Sequence, residues 1–100
     1  MWWVYLVRGR TGKLYCGITK DLDRRVQEHN TDPARASKAA WAMRPVVLVW
    51  SEPHQYQAHA LRREAMIKRM KKSAKEALVA EAKARLEKCL RSAQAAFTRS

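Results

Sequence analysis

Six consecutive residues near the start of the chain, Trp2-Trp3-Val4-Tyr5-Leu6-Val7, are apolar or aromatic without interruption. A strand with one wet face alternates polar and apolar side chains, whereas this run offers an apolar side chain to both faces. It therefore belongs in the interior of a sheet, with further elements stacked above and below it. The run is also too short, and too soon followed by Arg8, to be a spanning segment, which needs ~20 apolar residues. No basic leader precedes it and no small-residue cleavage site follows it, so it reads as a buried strand.

The rest of the chain supplies the covering. Gly9-Arg10-Thr11-Gly12 marks a turn, and Lys13 to Ile18 returns as a second strand. Thr19 or Asp21 can cap a helix reaching about Asn30, with Leu22, Val26 and His29 on one face and Arg25 beside them. Arg24 and Glu28 are spaced for a solvent-facing ion pair. Residues 31–44 show no period and read as a loop with at most a helical turn. Pro45 opens a third strand, Val46 to Trp50, ended by Ser51-Glu52-Pro53. Helical patterns return from about Tyr56 to Met70 and from Ser73 to about Ala93, where Leu78, Ala82, Leu86 and Cys89 share a face. Lys71-Lys72-Ser73 either bends the chain or lets one helix continue. The expected fold is α/β (α+β): a three-stranded, mainly antiparallel sheet flanked by helices, in the order β-β-α-β-α-α with the first strand central. One domain over residues 1–95 and a frayed tail over 96–100 are expected.

Charge narrows the partner. Lys and Arg number 21 against 9 Asp and Glu, a formal net charge of +12. An excess of that size favours a phosphate polymer, with an anionic membrane surface behind it. No zinc-finger or helix-turn-helix pattern for reading bases is present, so nucleic-acid shape is the expected determinant. Cys16 and Cys89 form no CxxC pair and read as packed thiols of a reducing, cytoplasmic compartment. His54 and His59 read as solvated.

Chemistry concentrates in a few residues. Tyr5 and Tyr15 lie on the two hairpin strands, Arg25 and His29 are neighbours on the following helix, and Glu64 is an isolated acid among Arg62, Arg63, Lys68 and Arg69. Whether the tyrosines converge depends on the loop. A two- or four-residue loop puts them on opposite faces. A three-residue loop, Gly9-Arg10-Thr11 with Gly12 at positive φ, makes them cross-strand neighbours. Each residue also has an ordinary reading: Tyr5 as core filler, Tyr15 as packing partner, His29 as a satisfied core or surface residue. Arg25 on an inward face needs an anion, which a phosphate or Glu64 can supply. Glu64 is either an ion-pair partner or a ligand for one hard cation. Trp41 can stack on a base or cover the core.

Val4-Tyr5 followed by Tyr15-Cys16-Gly17 resembles a degenerate GIY-YIG signature, with Trp3 where the first motif has Gly and Cys16 where the second has Ile. Gly17 to His29 resembles the helix that follows it, and Ala60 to Lys68 the segment carrying the metal-binding acid. The likeness covers residues 2 to about 80 and is nearest to the small single-domain bacterial members of this nuclease superfamily, which includes excision-repair and homing endonucleases. It implies a DNA-cleaving hydrolase, of the kind used in DNA repair, with catalytic Tyr5, Tyr15, Arg25, His29 and Glu64. Tyr5 would activate or orient water, assisted by His29, while Arg25 and Tyr15 hold the phosphate. Glu64 would hold one Mg²⁺ or Mn²⁺, weakly in the absence of nucleic acid. Gly17, Lys20, Arg24, Lys38, Arg63 and Lys68 would contact substrate, DNA rather than RNA. The protein is expected to be a monomer with no membrane association, targeted by nucleic-acid structure or by a protein partner. The alternative is a non-catalytic nucleic-acid-binding module of the same fold. A further rival is an interaction protein that docks through the stripe on its last helix.

Overall fold

The computed structural model describes residues 1–98. The elements are β1 (Trp2–Arg8), β2 (Leu14–Thr19), α1 (Leu22–Thr31), α2 (Lys38–Ala42), β3 (Val47–His54), α3 (Gln57–Arg69) and α4 (Lys72–Thr98). The strands form an antiparallel sheet ordered β2-β1-β3, so the uninterrupted apolar strand is central, as its pattern demands. Val4 and Leu6 point to one face, where Cys16, Trp50, Ala60 and Ile67 bury against them under α3 and the start of α4. Tyr5 and Val7 point to the other, packed with Met43 and Val46 and flanked by Leu22 and Val26 of α1.

Two stretches differ from their sequence patterns. Residues 38–42 form a short helix, α2, begun by the Ser37 hydroxyl, which accepts from the Ala40 N–H at 3.1 Å. Its small residues carry too few apolar side chains to show a period. β3 continues past Trp50 through Ser51, Glu52 and Pro53 to His54. Proline is accommodated there because β3 is an edge strand. α1 is capped as expected, the Asp21 carboxylate accepting from the Arg24 N–H at 3.2 Å.

Met70 takes extended backbone angles, φ −67° and ψ 148°, and so separates α3 from α4. The start of α4 is then latched to the hairpin. Arg8 donates through Nη1 to Glu76 Oε2 at 2.9 Å and to the Gly12 carbonyl at 3.1 Å, and through Nη2 to Glu76 Oε1. Those hydrogen bonds hold the Glu76 carboxyl below its ordinary range. Leu78, Val79 and Ala82 pack on the core, but Leu86 and Leu90 are each 60% exposed and Cys89 is exposed, not packed as its sequence suggested. At 27 residues α4 is roughly 40 Å long and extends beyond the body of the protein. The expected tail begins within its last turn, and residues 99 and 100 lie outside the described residues. No helix among the described residues is long and apolar enough to cross a membrane.

Candidate active site

The hairpin register places the two tyrosines. Arg8 pairs with Leu14, Val7 with Tyr15 and Tyr5 with Gly17. Tyr5 and Tyr15 therefore share a face but stand diagonally, offset by two positions. The turn is shifted one residue from the Gly9-Arg10-Thr11 loop considered above: Gly12 N–H closes it on the Gly9 carbonyl, and Gly9 N–H donates to the Lys13 carbonyl. Gly12 has the positive φ expected of it, 87°. At the Tyr5–Gly17 pair the tyrosine ring lies across the glycine. A Cβ on Gly17 would stand 2.7 Å from Tyr5 Cζ and nearer still to its oxygen. Only a residue without a side chain allows the phenol to lie there.

His29, on the buried face of α1, joins the pair. Tyr5 is 1% exposed and His29 fully buried, with the phenol oxygen 2.8 Å from Nε2. The Ser37 N–H points at Nδ1 over 3.4 Å, which assigns the imidazole proton to Nε2. Nε2–H then donates to the Tyr5 oxygen, leaving the phenol's own O–H to point elsewhere. Tyr15 meets the same imidazole edge-on, with ring centroids 5.5 Å apart. Burial, aided by the Arg25 charge, pushes His29 down to about 4, so the ring is neutral at pH 7. Burial first, and then the Tyr15 hydroxyl, pushes Tyr5 well above the usual phenol range, with Arg25 opposing.

A stability test follows from His29. Its folded pKa of about 4 lies below the 6.5 of the unfolded chain, so unfolding takes up a proton between those values. The native state should hold its full advantage above about pH 6.5 and lose about 3 kcal/mol of it as pH falls to about 4. Urea unfolding across this window should show a falling midpoint for the wild type and a much flatter one for His29→Gln. A wild-type midpoint constant across the window contradicts a buried neutral ring.

Arg25 is half-buried beside these groups, but its partner differs from the Glu64 considered from sequence. Nη1 lies 3.3 Å from Glu28 Oε1 and donates to the Arg35 carbonyl at 2.8 Å. Arg24 and Arg35 also reach Glu28, at 3.7 and 3.5 Å. One carboxylate thus serves three guanidiniums, with Asp32 near Arg35 at 3.8 Å. The cluster keeps positive charge to spare beside the Tyr5–His29 pair.

Glu64 stands apart from Arg25. Its half-buried carboxylate lies 3.5 Å from Lys68 Nζ, and that ammonium is 6.0 Å from the centre of the Tyr15 ring. Glu64 is therefore linked to Tyr15 through Lys68. Among the described residues no group of three or more His, Cys, Asp or Glu side chains could enclose a metal. A lone carboxylate suits Mg²⁺ or Mn²⁺, which keep waters and take substrate oxygens, and does not suit a structural zinc.

The remaining basic candidates divide. Arg24 and Lys38 are exposed on the tyrosine side, on α1 and at the start of α2. Lys20 lies over the Trp2 ring at 5.0 Å, and Trp2 packs with the opposite core cluster. Arg63 is also on that side, its Nε donating to Glu52 Oε1 at 3.1 Å. His54, read as solvated, instead pairs with Glu52 at 2.7 Å. Trp41 is half-buried and carries the Arg44 guanidinium on its face at 3.6 Å, which occupies the surface a base would need.

A tyrosine on each hairpin strand, a glycine beneath the first, and arginine and histidine on the next helix is a specific constellation. The description that fits it, a GIY-YIG catalytic domain, matches residues 1–77. The chain belongs to the GIY-YIG family. Its relatives are small bacterial proteins of the UPF0213 group. One from Vibrio cholerae (El Tor Inaba N16961) is 48% identical over 80 residues, covering 79% of this chain and 77% of the relative. The protein YhbQ of Escherichia coli K12 is 41% identical over 80 residues, covering 80% and 78%. A UPF0213 protein from Bacillus halodurans, solved by solution NMR, superposes with a TM-score of 0.51 at 30% identity, over 80% of this chain and 84% of that one.

Within the GIY-YIG frame, one departure from the signature faces away from the tyrosines and the other shares the face of Tyr5. Cys16 is buried with Val4, Leu6 and Trp50, and burial first, then Glu64, raises its thiol to about 11. It packs as an apolar side chain in the position of isoleucine. Trp3 pairs with Thr19, two positions from Tyr5. Sequence reasoning missed Ser37, whose N–H orients His29, and Glu28 as the shared acceptor of the arginines. It also missed Asn30, which ties α1 to the residue leading into β3: Nδ2 donates to the Val46 carbonyl at 2.9 Å, and Oδ1 accepts from the Val46 N–H at 2.7 Å.

Proposed function

We propose that this chain is an endonuclease that hydrolyses phosphodiester bonds in DNA with one divalent ion, directed by nucleic-acid structure rather than sequence. The observation that carries this reading is the Tyr5 phenol, buried on Gly17 and 2.8 Å from a neutral His29, with an arginine cluster beside it. A structural tyrosine needs neither a glycine cut away beneath its hydroxyl nor an imidazole kept uncharged to meet it. The phenol's own O–H, left free by the His29 donation, orients the attacking water. When Tyr5 ionises, Nε2–H of His29 and the Arg25 charge hold the phenolate, which accepts the proton of that water. Arg25 and the hydroxyl of Tyr15 grip the scissile phosphate, the arginine stabilising the charge that grows on its oxygens. Glu64 would hold the cation, which when bound supplies Lewis-acid stabilisation of the phosphate and leaving group.

The same features keep the idle protein inactive. The phenol is un-ionised at neutral pH, Arg25 is engaged by Glu28, and Glu64 by Lys68. A phosphate drawing Arg25 off Glu28 and a cation drawing Glu64 off Lys68 would assemble the site only on substrate. The activity belongs in DNA repair or processing in the cytoplasm, with the chain acting as a monomer or recruited by a protein partner.

The test is cleavage of labelled nicked, flapped and duplex DNA with Mg²⁺, Mn²⁺ or EDTA, for wild type, Arg25→Ala and Glu64→Ala. Metal-dependent cutting that falls about a hundredfold in each variant is expected. Salt-sensitive binding without cutting on every substrate would instead make the chain a nucleic-acid-binding module of this fold.

A further inference from the structure

A cleft of about 220 Å³ opens between the β1–β2 turn and the first turn of α4, lined by Lys13, Leu14, Lys72 and Lys75. Its three lysines come from two elements, and the Arg8–Glu76 latch fixes the distance between those elements. Among the described residues none of the three is in an ion pair. The nearby acids are already engaged: Glu76 by Arg8, and Glu64 by Lys68. Lys75 is half-buried while Lys13 and Lys72 are exposed, and three like charges converging on one cleft attract an anion from outside.

A second cavity, about 330 Å³, adjoins this cleft and shares Lys13 and Leu14 with it. Its other walls are Tyr15, Thr11, Ala39, Ala42 and Met43, mostly apolar. A continuous surface thus runs from Tyr15, through an apolar chamber, to three unpaired ammonium groups. Charge alternating with apolar surface is the chemistry of a nucleic-acid strand, in which phosphates alternate with nucleosides.

We infer that the lysine cleft binds a non-scissile phosphate of the strand held at Tyr15, with the intervening nucleoside in the Tyr15–Met43 cavity. The inference rests on the nuclease reading for the identity of the neighbouring site. It gives the strand a direction across the protein, over the β2 edge toward the start of α4. It also assigns Lys13, Lys72 and Lys75 a role that free inorganic phosphate would fulfil only in part, because the apolar chamber would stay empty.

The test is binding of a labelled nicked duplex in EDTA, between about 50 and 200 mM salt. The triple variant Lys13→Gln/Lys72→Gln/Lys75→Gln is set beside Lys83→Gln/Arg85→Gln/Lys88→Gln, which removes as much charge from the far part of α4. The cleft variant should bind more than tenfold more weakly at the lowest salt, with the slope of log Kd against log salt reduced by about one, the share of one phosphate. The distal variant should lose less than half as much slope. Equal losses in the two, or an unchanged slope in the cleft variant, overturn the inference. If Lys75→Gln disturbs folding, Lys13→Gln/Lys72→Gln carries the same comparison with a smaller loss. Inorganic phosphate that competes as strongly as a dinucleotide also overturns it, since no nucleoside is then held. Cleavage of the same duplex with Mg²⁺ reports the nuclease separately. Cleft-dependent binding without cutting would retain the strand path and remove the catalysis. Cutting with a silent cleft would do the reverse.

Discussion

Tyr5→Phe is expected to reduce metal-dependent cleavage by about a thousandfold, within the range found when a positioned proton-transfer group is removed. The ring survives, so the packing of Val7, Met43 and Val46 around it does too. What disappears is the oxygen that accepts from His29 and, in the proposed reaction, meets the attacking water. The cost to stability should be smaller but real, about 1–3 kcal/mol, because the buried Nε2–H loses its acceptor. Single-turnover cleavage and urea unfolding, measured on the same preparation, separate the two effects. Tyr15→Phe is the control: Tyr15 is half-buried and its hydroxyl donates no hydrogen bond among the described residues, so its loss should lower cleavage with little change in the unfolding midpoint. Tyr5→Phe cutting within tenfold of wild type would mean that another group activates the water. Burial raises the Tyr5 phenol, so the wild-type rate should climb with pH through the alkaline range and that climb should be absent in Tyr5→Phe.

The sheet was legible in the sequence because its central strand lacks alternation from Trp2 to Val7. That pattern has one physical solution, a strand covered on both faces, and the two core clusters on either side of β1 are that solution. The convergence of Tyr5 and Tyr15 was not legible to the same degree. A one-residue slip in the hairpin would send one of them to the other face, and the turn residues allow several registers. The register is set by contacts remote in sequence, among them Arg10 N–H donating to the Met43 carbonyl at 3.0 Å and the packing of Gly9 against Met43. Arg25 was legible as an inward cation, because it flanks Leu22 and Val26. Its acceptor was not, since Glu28 lies three residues away and serves Arg24 and Arg35 too. Periodicity cannot divide one carboxylate among three arginines. Ser37 escaped notice because its contribution to His29 comes from the backbone N–H, which every residue but proline carries.

The GIY-YIG likeness and the geometry bear on different links of the argument. The likeness identifies which side chains to look at, while the geometry adds a constraint that motif matching does not contain. Tyr5 and Gly17 are cross-strand partners, so the glycine of the second motif exists in relation to the tyrosine of the first. The intervening Cys16 faces the opposite core, away from the tyrosines.

Gly17→Ala should therefore do more damage than its single methyl group suggests. Gly17 carries no positive φ, so alanine brings no backbone strain of its own. The added Cβ would meet the Tyr5 ring, 2.7 Å from Cζ and 3.0 Å from Cε1. The ring is part of a filled core, with Val7 and Met43 about it, so it cannot retreat without displacing them. The expected cost of this overpacking is about 1–3 kcal/mol. Displacing the phenol also breaks its hydrogen bond to His29, so cleavage should fall below detection while the protein still folds. Circular dichroism with urea unfolding reads the first effect, and cleavage of nicked duplex with Mg²⁺ reads the second. The double variant Gly17→Ala/Tyr5→Phe tests the cause, because it removes the oxygen nearest the new methyl group. It should recover part of the lost stability and none of the activity. If the double variant is less stable than the single one by the full cost of Tyr5→Phe, the methyl group and the phenol act independently. In that case the contact between them does not explain the glycine.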